Sequence, residues 1–100
     1  METRRDITDQ ELTQYAQIFR ALSDETRQRI LILLKEQPMS VGQIVGHFSL
    51  AQPTISRHLA VLRQAGLVRA ERSRQHMIYR LVTDPLNRCC TGFMANFCSA

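Results

Sequence analysis

The sequence predicts an α+β fold, mainly helical with one small β-hairpin, and three observations predict it. Apolar residues recur at three- and four-residue spacing through most of the chain. Between residues 67 and 82 that spacing drops to two, as in paired strands. A chain of 100 residues, 44% of them apolar, makes one small domain (1–100) with a modest core, so association with a second copy would add stability.

The first helix opens at Thr8, with Glu11 three residues on as a capping box, and Leu12, Tyr15, Phe19 and Leu22 follow at helical spacing. Ser23 is the expected cap of a second helix, whose first turn carries Asp24 and Glu25 where the helix dipole favours acids. Ile30, Leu31, Leu33 and Leu34 form its buried side and Pro38 ends it. Ser40 and Gln43 repeat the capping-box pattern ahead of a short third helix, "VGQIVGHF", with Ile44, Val45 and Phe48 inward. After a tight "SLA" connection comes "QPTISRHLAVLRQA". Pro53 fits only its first turn, Ile55, Leu59 and Leu62 share one side, and Gly66 stands just past its end. "LVRAER" and "HMIYRLV" then read as two strands around "SRQ"; without glycine, a loop looser than two residues is expected. "DP" at 84–85 reads as a cap and first-turn proline opening a last helix over 85–97. There Leu86, Cys89, Cys90, Phe93, Met94 and Phe97 make one apolar stripe that needs a partner surface.

Two short helices across a tight turn, followed by a hairpin, make a winged helix-turn-helix. The net charge of +4 is concentrated there: residues 37–83 hold six arginines (Arg57, Arg63, Arg69, Arg72, Arg74, Arg80) against one acid, Glu71. Such a segment suits a polyanion, although a solvated basic face has the same composition. Burying Ile55, Leu59 and Leu62 leaves Gln52, Thr54, Ser56 and Arg57 outward, side chains suited to base edges and phosphates. Arg72 and Arg74 on the hairpin are placed to reach the backbone or an adjacent minor groove. Catalysis is disfavoured: there is no phosphate-cradling glycine loop, and no histidine lies within ten residues of a cysteine. "METRRDITDQ" has no apolar stretch and "ILILL" is too short to span a bilayer, so a cytoplasmic location without a membrane partner is expected.

Three segments, "FRALSDETRQRILILL", "QPTISRHLAVLRQAGLV" and "RQHMIYRL", resemble the ArsR/SmtB family of bacterial repressors, and the resemblance covers roughly residues 15–85. It implies a homodimer built on the first and last helices, with reading helix and wing docked on a palindromic operator of double-stranded DNA. The family's DNA-contacting face falls here on Gln52, Thr54, Ser56 and Arg57, and His58 matches a recurrent family position. Ala51 stands where the family usually has a serine cap, so either the helix start is weaker or Ser49 caps from a shifted register.

Family members commonly release DNA on binding a metal or metalloid. A cysteine-rich site in the first helix of the helix-turn-helix has no counterpart in "SVGQIVGHF", and the last helix lacks the His and Glu of the family's zinc site, so no zinc site is expected. All three cysteines, Cys89, Cys90 and Cys98, resemble instead the adjacent pair plus third thiol of some arsenic-responsive members. As(III) or Sb(III) would then be the inducer, since soft ions take thiolates. On an unbroken helix Cys90 and Cys98 lie about 12 Å apart along the axis. Either the helix ends early, helped by Gly92, or Cys98 comes from the second subunit. Thiol oxidation or persulfide chemistry, control by a protein partner, and inert core thiols are the alternatives.

Overall fold

The computed structural model describes residues 7–97, which form five helices and three strands. Helix α1 (Asp9–Leu22) starts at the expected capping box: the Thr8 hydroxyl accepts from the Glu11 amide at 3.1 Å and the Glu11 carboxylate accepts from the Thr8 amide at 3.0 Å. Its buried side is Tyr15, Ile18 and Ala21. Leu12 and Phe19, expected inward, are instead 43% and 39% exposed, because they sit on an edge of the helix that this protomer does not cover. Helix α2 (Glu25–Glu36) is capped by Asp24, not Ser23. Ser23 still has helical backbone angles and closes α1, its hydroxyl donating to the Arg20 carbonyl at 2.7 Å. Ile30, Leu31 and Leu34 are buried, and Gln37 is extended, as a residue before proline must be.

Two residues then form β1 (Met39–Ser40), a strand the sequence reading did not contain. Ser40 ends that strand and caps α3 (Val41–Val45), accepting from the Gln43 amide at 3.2 Å. Helix α3 is shorter than expected and stops before Gly46 and His47. Helix α4 (Gln52–Gln64) keeps the expected register. Ile55, Leu59 and Leu62 are at most 1% exposed, each contributing about 1.5–3 kcal/mol by burial. Gly66 ends it at φ +79°, with the Leu67 amide on the Leu62 carbonyl (2.9 Å) and the Gly66 amide on the Arg63 carbonyl (3.0 Å).

Strands β2 (Val68–Ser73) and β3 (His76–Leu81) form the hairpin, and the three-stranded antiparallel sheet has the order β1-β3-β2. Met39 pairs with Tyr79 and Ser40 with Ile78, so the wing is tied directly to the start of α3. The hairpin corrects the expected loose loop. Ser73 pairs with His76, leaving only Arg74 and Gln75 at the tip, and Arg74 takes φ +58° in place of a glycine. Helix α5 (Asp84–Met94) has Thr83, not Asp84, as its N-cap residue, with helical backbone angles and no side-chain cap bond, and it ends three residues short of the expected Phe97. Its apolar stripe is split: Cys89 is buried, Leu86 and Phe93 are half-buried, and Cys90, Met94 and Phe97 are exposed. Phe93 meets Tyr15 and Phe19 edge-on, at centroid distances of 6.1 and 5.1 Å, and joins α5 to α1. Gly92 serves this packing rather than the helix end, for a Cβ there would collide with the Tyr15 hydroxyl.

Candidate nucleic-acid interface

Helix α3, the turn after it and α4 place the reading helix across the core, and the hairpin stands beside it. Arg57 lies two residues past buried Ile55, about 200° around the helix, and so faces solvent. Gln52, Ser56 and Arg57 are exposed and Thr54 is half-buried. Gln52 and Ser56 line a groove between α4 and the wing together with Ser40, Gln75, His76 and Tyr79. Ser40, Gln75 and Tyr79 were missed by sequence reasoning. The two-residue loop puts Gln75 at the tip and His76 at the start of β3, and nothing local in the sequence signals that loop.

The start of α4 settles the question left by Ala51. Ala51 is its N-cap and offers no side-chain bond, Ser49 does not replace it, and no acid stands in the first turn. Pro53 brings no amide, and the Thr54 and Ile55 amides both donate to the Ala51 carbonyl, at 3.0 and 3.2 Å, so the first turn is closed by backbone alone.

Electrostatics divide the six arginines. Arg80 bonds Glu71 at 2.7 Å and Arg69 stands 3.7 Å from the same carboxylate. The hydrogen bond from Arg80 holds the Glu71 carboxyl below its usual range. The side chains of Arg57, Arg63, Arg72 and Arg74 make no hydrogen bond or ion pair among the described residues, and all four are exposed. Their charge is uncompensated, and two of them adjoin groove residues in the chain, Arg57 next to Ser56 and Arg74 next to Gln75. His58 differs from the other expected contacts: it is half-buried, with Nδ1 3.2 Å from the Arg27 guanidinium and 3.9 Å from Asp24.

At the other end of the molecule the expected thiol ligands are not brought together. Cys89 is 1% exposed, and burial, then the neighbouring Cys90, push its thiol pKa up. Cys90 is exposed on the next position of the helix, and Cys98 lies outside the described residues. Among the described residues no three His, Cys, Asp or Glu side chains cluster to hold a metal ion. No helix among them is long and apolar enough to cross a membrane.

A recessed helix-turn-helix, an outward polar helix face and a basic two-stranded wing define a winged-helix DNA-binding protein. Residues 24–70 match the family described as "Bacterial regulatory protein, arsR family". The transcriptional repressor SdpR of Bacillus subtilis is 41% identical over 80 residues, covering 80% of this chain and 88% of that protein. The chain belongs to the ArsR family and is an ArsR/SmtB-type transcriptional repressor, not an enzyme. The arsenic resistance regulator ArsR1 of Pseudomonas putida is 42% identical over 65 residues, 64% of this chain and 51% of that one. Among solved structures, the homodimeric winged helix-turn-helix DNA-binding domain Mb0332 of Mycobacterium bovis superposes with a TM-score of 0.76 at 26% identity. That match covers 97% of this chain and 91% of the other.

Proposed function

We propose that two copies of this chain grip a palindromic operator and let go when As(III) or Sb(III) binds Cys89, Cys90 and Cys98. The observation that carries the DNA half is the groove between α4 and the wing, lined by Gln52, Ser56, Gln75 and His76, with Arg57 and Arg74 next in the chain to Ser56 and Gln75 and their side chains unpaired among the described residues. Gln52, Thr54 and Ser56 read base edges in the major groove, and the arginines hold phosphates and an adjacent minor groove. Pairing is supported by the apolar edge left uncovered along α1 and α5, where Leu12, Phe19, Met94 and Phe97 are exposed. Mb0332, which superposes on the chain, is described as homodimeric. Two such subunits set their reading helices about 34 Å apart, one turn of DNA. The repressor works in the cytoplasm.

The inducer half rests on the chemistry of three thiols and on where Cys89 sits. Adjacent helical positions point about 100° apart. An ion that takes both Cys89 and Cys90 therefore opens that turn of α5 and draws Cys89 out of the core it shares with Tyr15 and Ile18. Ligand binding then opposes the α1–α5 arrangement, and with it the spacing of the reading heads. Arsenite titrated into a protein–operator complex should release the DNA with about one arsenic bound per subunit. Equal release from Cys89→Ser defeats the thiol site. One observation favours a second reading, control without metal: of the two described cysteines, Cys89 is buried with a raised pKa and Cys90 faces solvent. Release by peroxide or persulfide, with none by arsenite, selects that reading.

A further inference from the structure

We infer that Arg27 is a positioning residue for operator recognition: it sets the roll of the reading helix against α1 by holding His58. The inference rests on the reading above, in which α4 meets the bases.

Arg27 sits in the first turn of α2, its amide fixed on the Asp24 carboxylate at 3.1 Å. Its guanidinium turns back across the joint between helices. Nε donates to the Ala21 carbonyl at 2.7 Å and Nη2 to the Arg20 carbonyl at 3.0 Å, closing the last turn of α1. Nη1 lies 3.2 Å from His58 Nδ1, thirty-one residues away on α4. Arginine has only donors, so the contact is a hydrogen bond in the tautomer whose Nδ1 carries the lone pair. One planar fork thus joins three helices, each of its three nitrogens meeting a protein atom.

The apolar residues beneath α4 do not do this job. Ile55, Leu59 and Leu62 hold the helix down, but hydrophobic contact has little directionality. A bond to His58, one position past Arg57, fixes rotation about the helix axis. With side chains a helix has a radius of about 5–6 Å, so a roll of about 20° carries a side-chain tip about 2 Å. That displacement takes a hydrogen bond to a base edge from about 2.9 Å to beyond its range. Backbone attraction is far less sensitive to such a shift, because it depends on charge and not on angle.

The test compares affinity for an operator duplex, taken from the DNA upstream of the protein's own gene, with affinity for a scrambled duplex at the same salt. Thermal melts accompany each variant. His58→Leu and Arg27→Gln are each expected to lose about ten-fold on the operator and less than two-fold on the scrambled duplex. The double variant should lose no more than the worse single one, since either change breaks the same link. His58→Asn, which offers an acceptor oxygen near the Nδ1 position, should recover most of the affinity. Should Arg27→Gln fail to fold, the two His58 variants decide the matter. Unchanged operator affinity in His58→Leu overturns the inference, as does an equal fall on both duplexes. Additive losses in the double variant make His58 an independent DNA contact and overturn it as well. A parent protein that does not prefer the operator to the scrambled duplex sinks the DNA reading itself, before any variant is compared.

Discussion

Arg74→Gly should stabilise the protein and weaken its grip on DNA. Arg74 occupies the first position of a two-residue hairpin loop at φ +58°, a region that costs an L-residue about 1–2 kcal/mol. Glycine removes that strain but loosens the unfolded chain, which gives back about 0.5–1 kcal/mol. The net gain is about 0.5–1 kcal/mol, or about 2–8 °C in the melting midpoint for a chain of this size. On DNA the change removes one guanidinium per subunit. For a dimer, the plot of log affinity against log salt should become shallower by about 1.8, at about 0.9 per phosphate contact. A thermal melt of the free protein and fluorescence anisotropy across a salt series measure the two effects separately. A midpoint at or below the parent's refutes the strain argument, and an unchanged salt slope refutes the assignment of Arg74 to phosphate. A turn residue away from DNA would move only the first quantity, and an unstrained phosphate contact only the second.

Glu71→Gln should tighten DNA binding and steepen its salt dependence, since it frees Arg80 and Arg69 from the carboxylate between them; weaker binding in the same anisotropy assay would contradict this. Gly92→Ala should cost about 1–3 kcal/mol by overpacking against Tyr15, and Tyr15→Phe in the same chain should recover part of it, both read in denaturant melts. The buried Cys89 thiol should react with a thiol reagent far more slowly than Cys90 in the folded protein and at a similar rate once unfolded. Because folding raises its pKa, the folded state holds the thiol proton more tightly than the unfolded one. Its contribution is intact below the ordinary thiol range near about 8.5 and is lost as pH climbs through the raised value. Stability should therefore fall on the alkaline side, and Cys89→Ala should flatten that fall.

Local chemistry made much of this molecule legible from sequence. The capping boxes at Thr8 and Ser40 and the glycine at 66 each act within five residues, and each boundary they mark stands. The errors arose where the deciding partner is distant or outside the chain. Periodicity could not tell that Leu12 and Phe19 face away from their own core, because an uncovered edge has the same spacing as a buried one. Strand β1, two residues long, carries no period at all and exists through Tyr79 and Ile78. The tight loop was hidden because arginine is a poor residue for the backbone it adopts, and sheet pairing overrides that preference. At the interface, the outward placement of Gln52, Ser56 and Arg57 followed from the apolar side of α4. The role of His58 did not, since Arg27 and Asp24 reach it from another helix.

The order β1-β3-β2 leaves β2 on the outside of the sheet, with no strand beyond it among the described residues. An open strand is a template on which another chain can add, and like charges brought face to face discourage such growth. Arg69 and Arg72 stand on that margin, exposed. Two guanidiniums on that margin are thus expected to oppose addition of a further strand as well. Replacing them with neutral residues invites fibrous self-association, so a loss of operator binding in such variants is interpretable only in samples whose dispersity has been checked by light scattering.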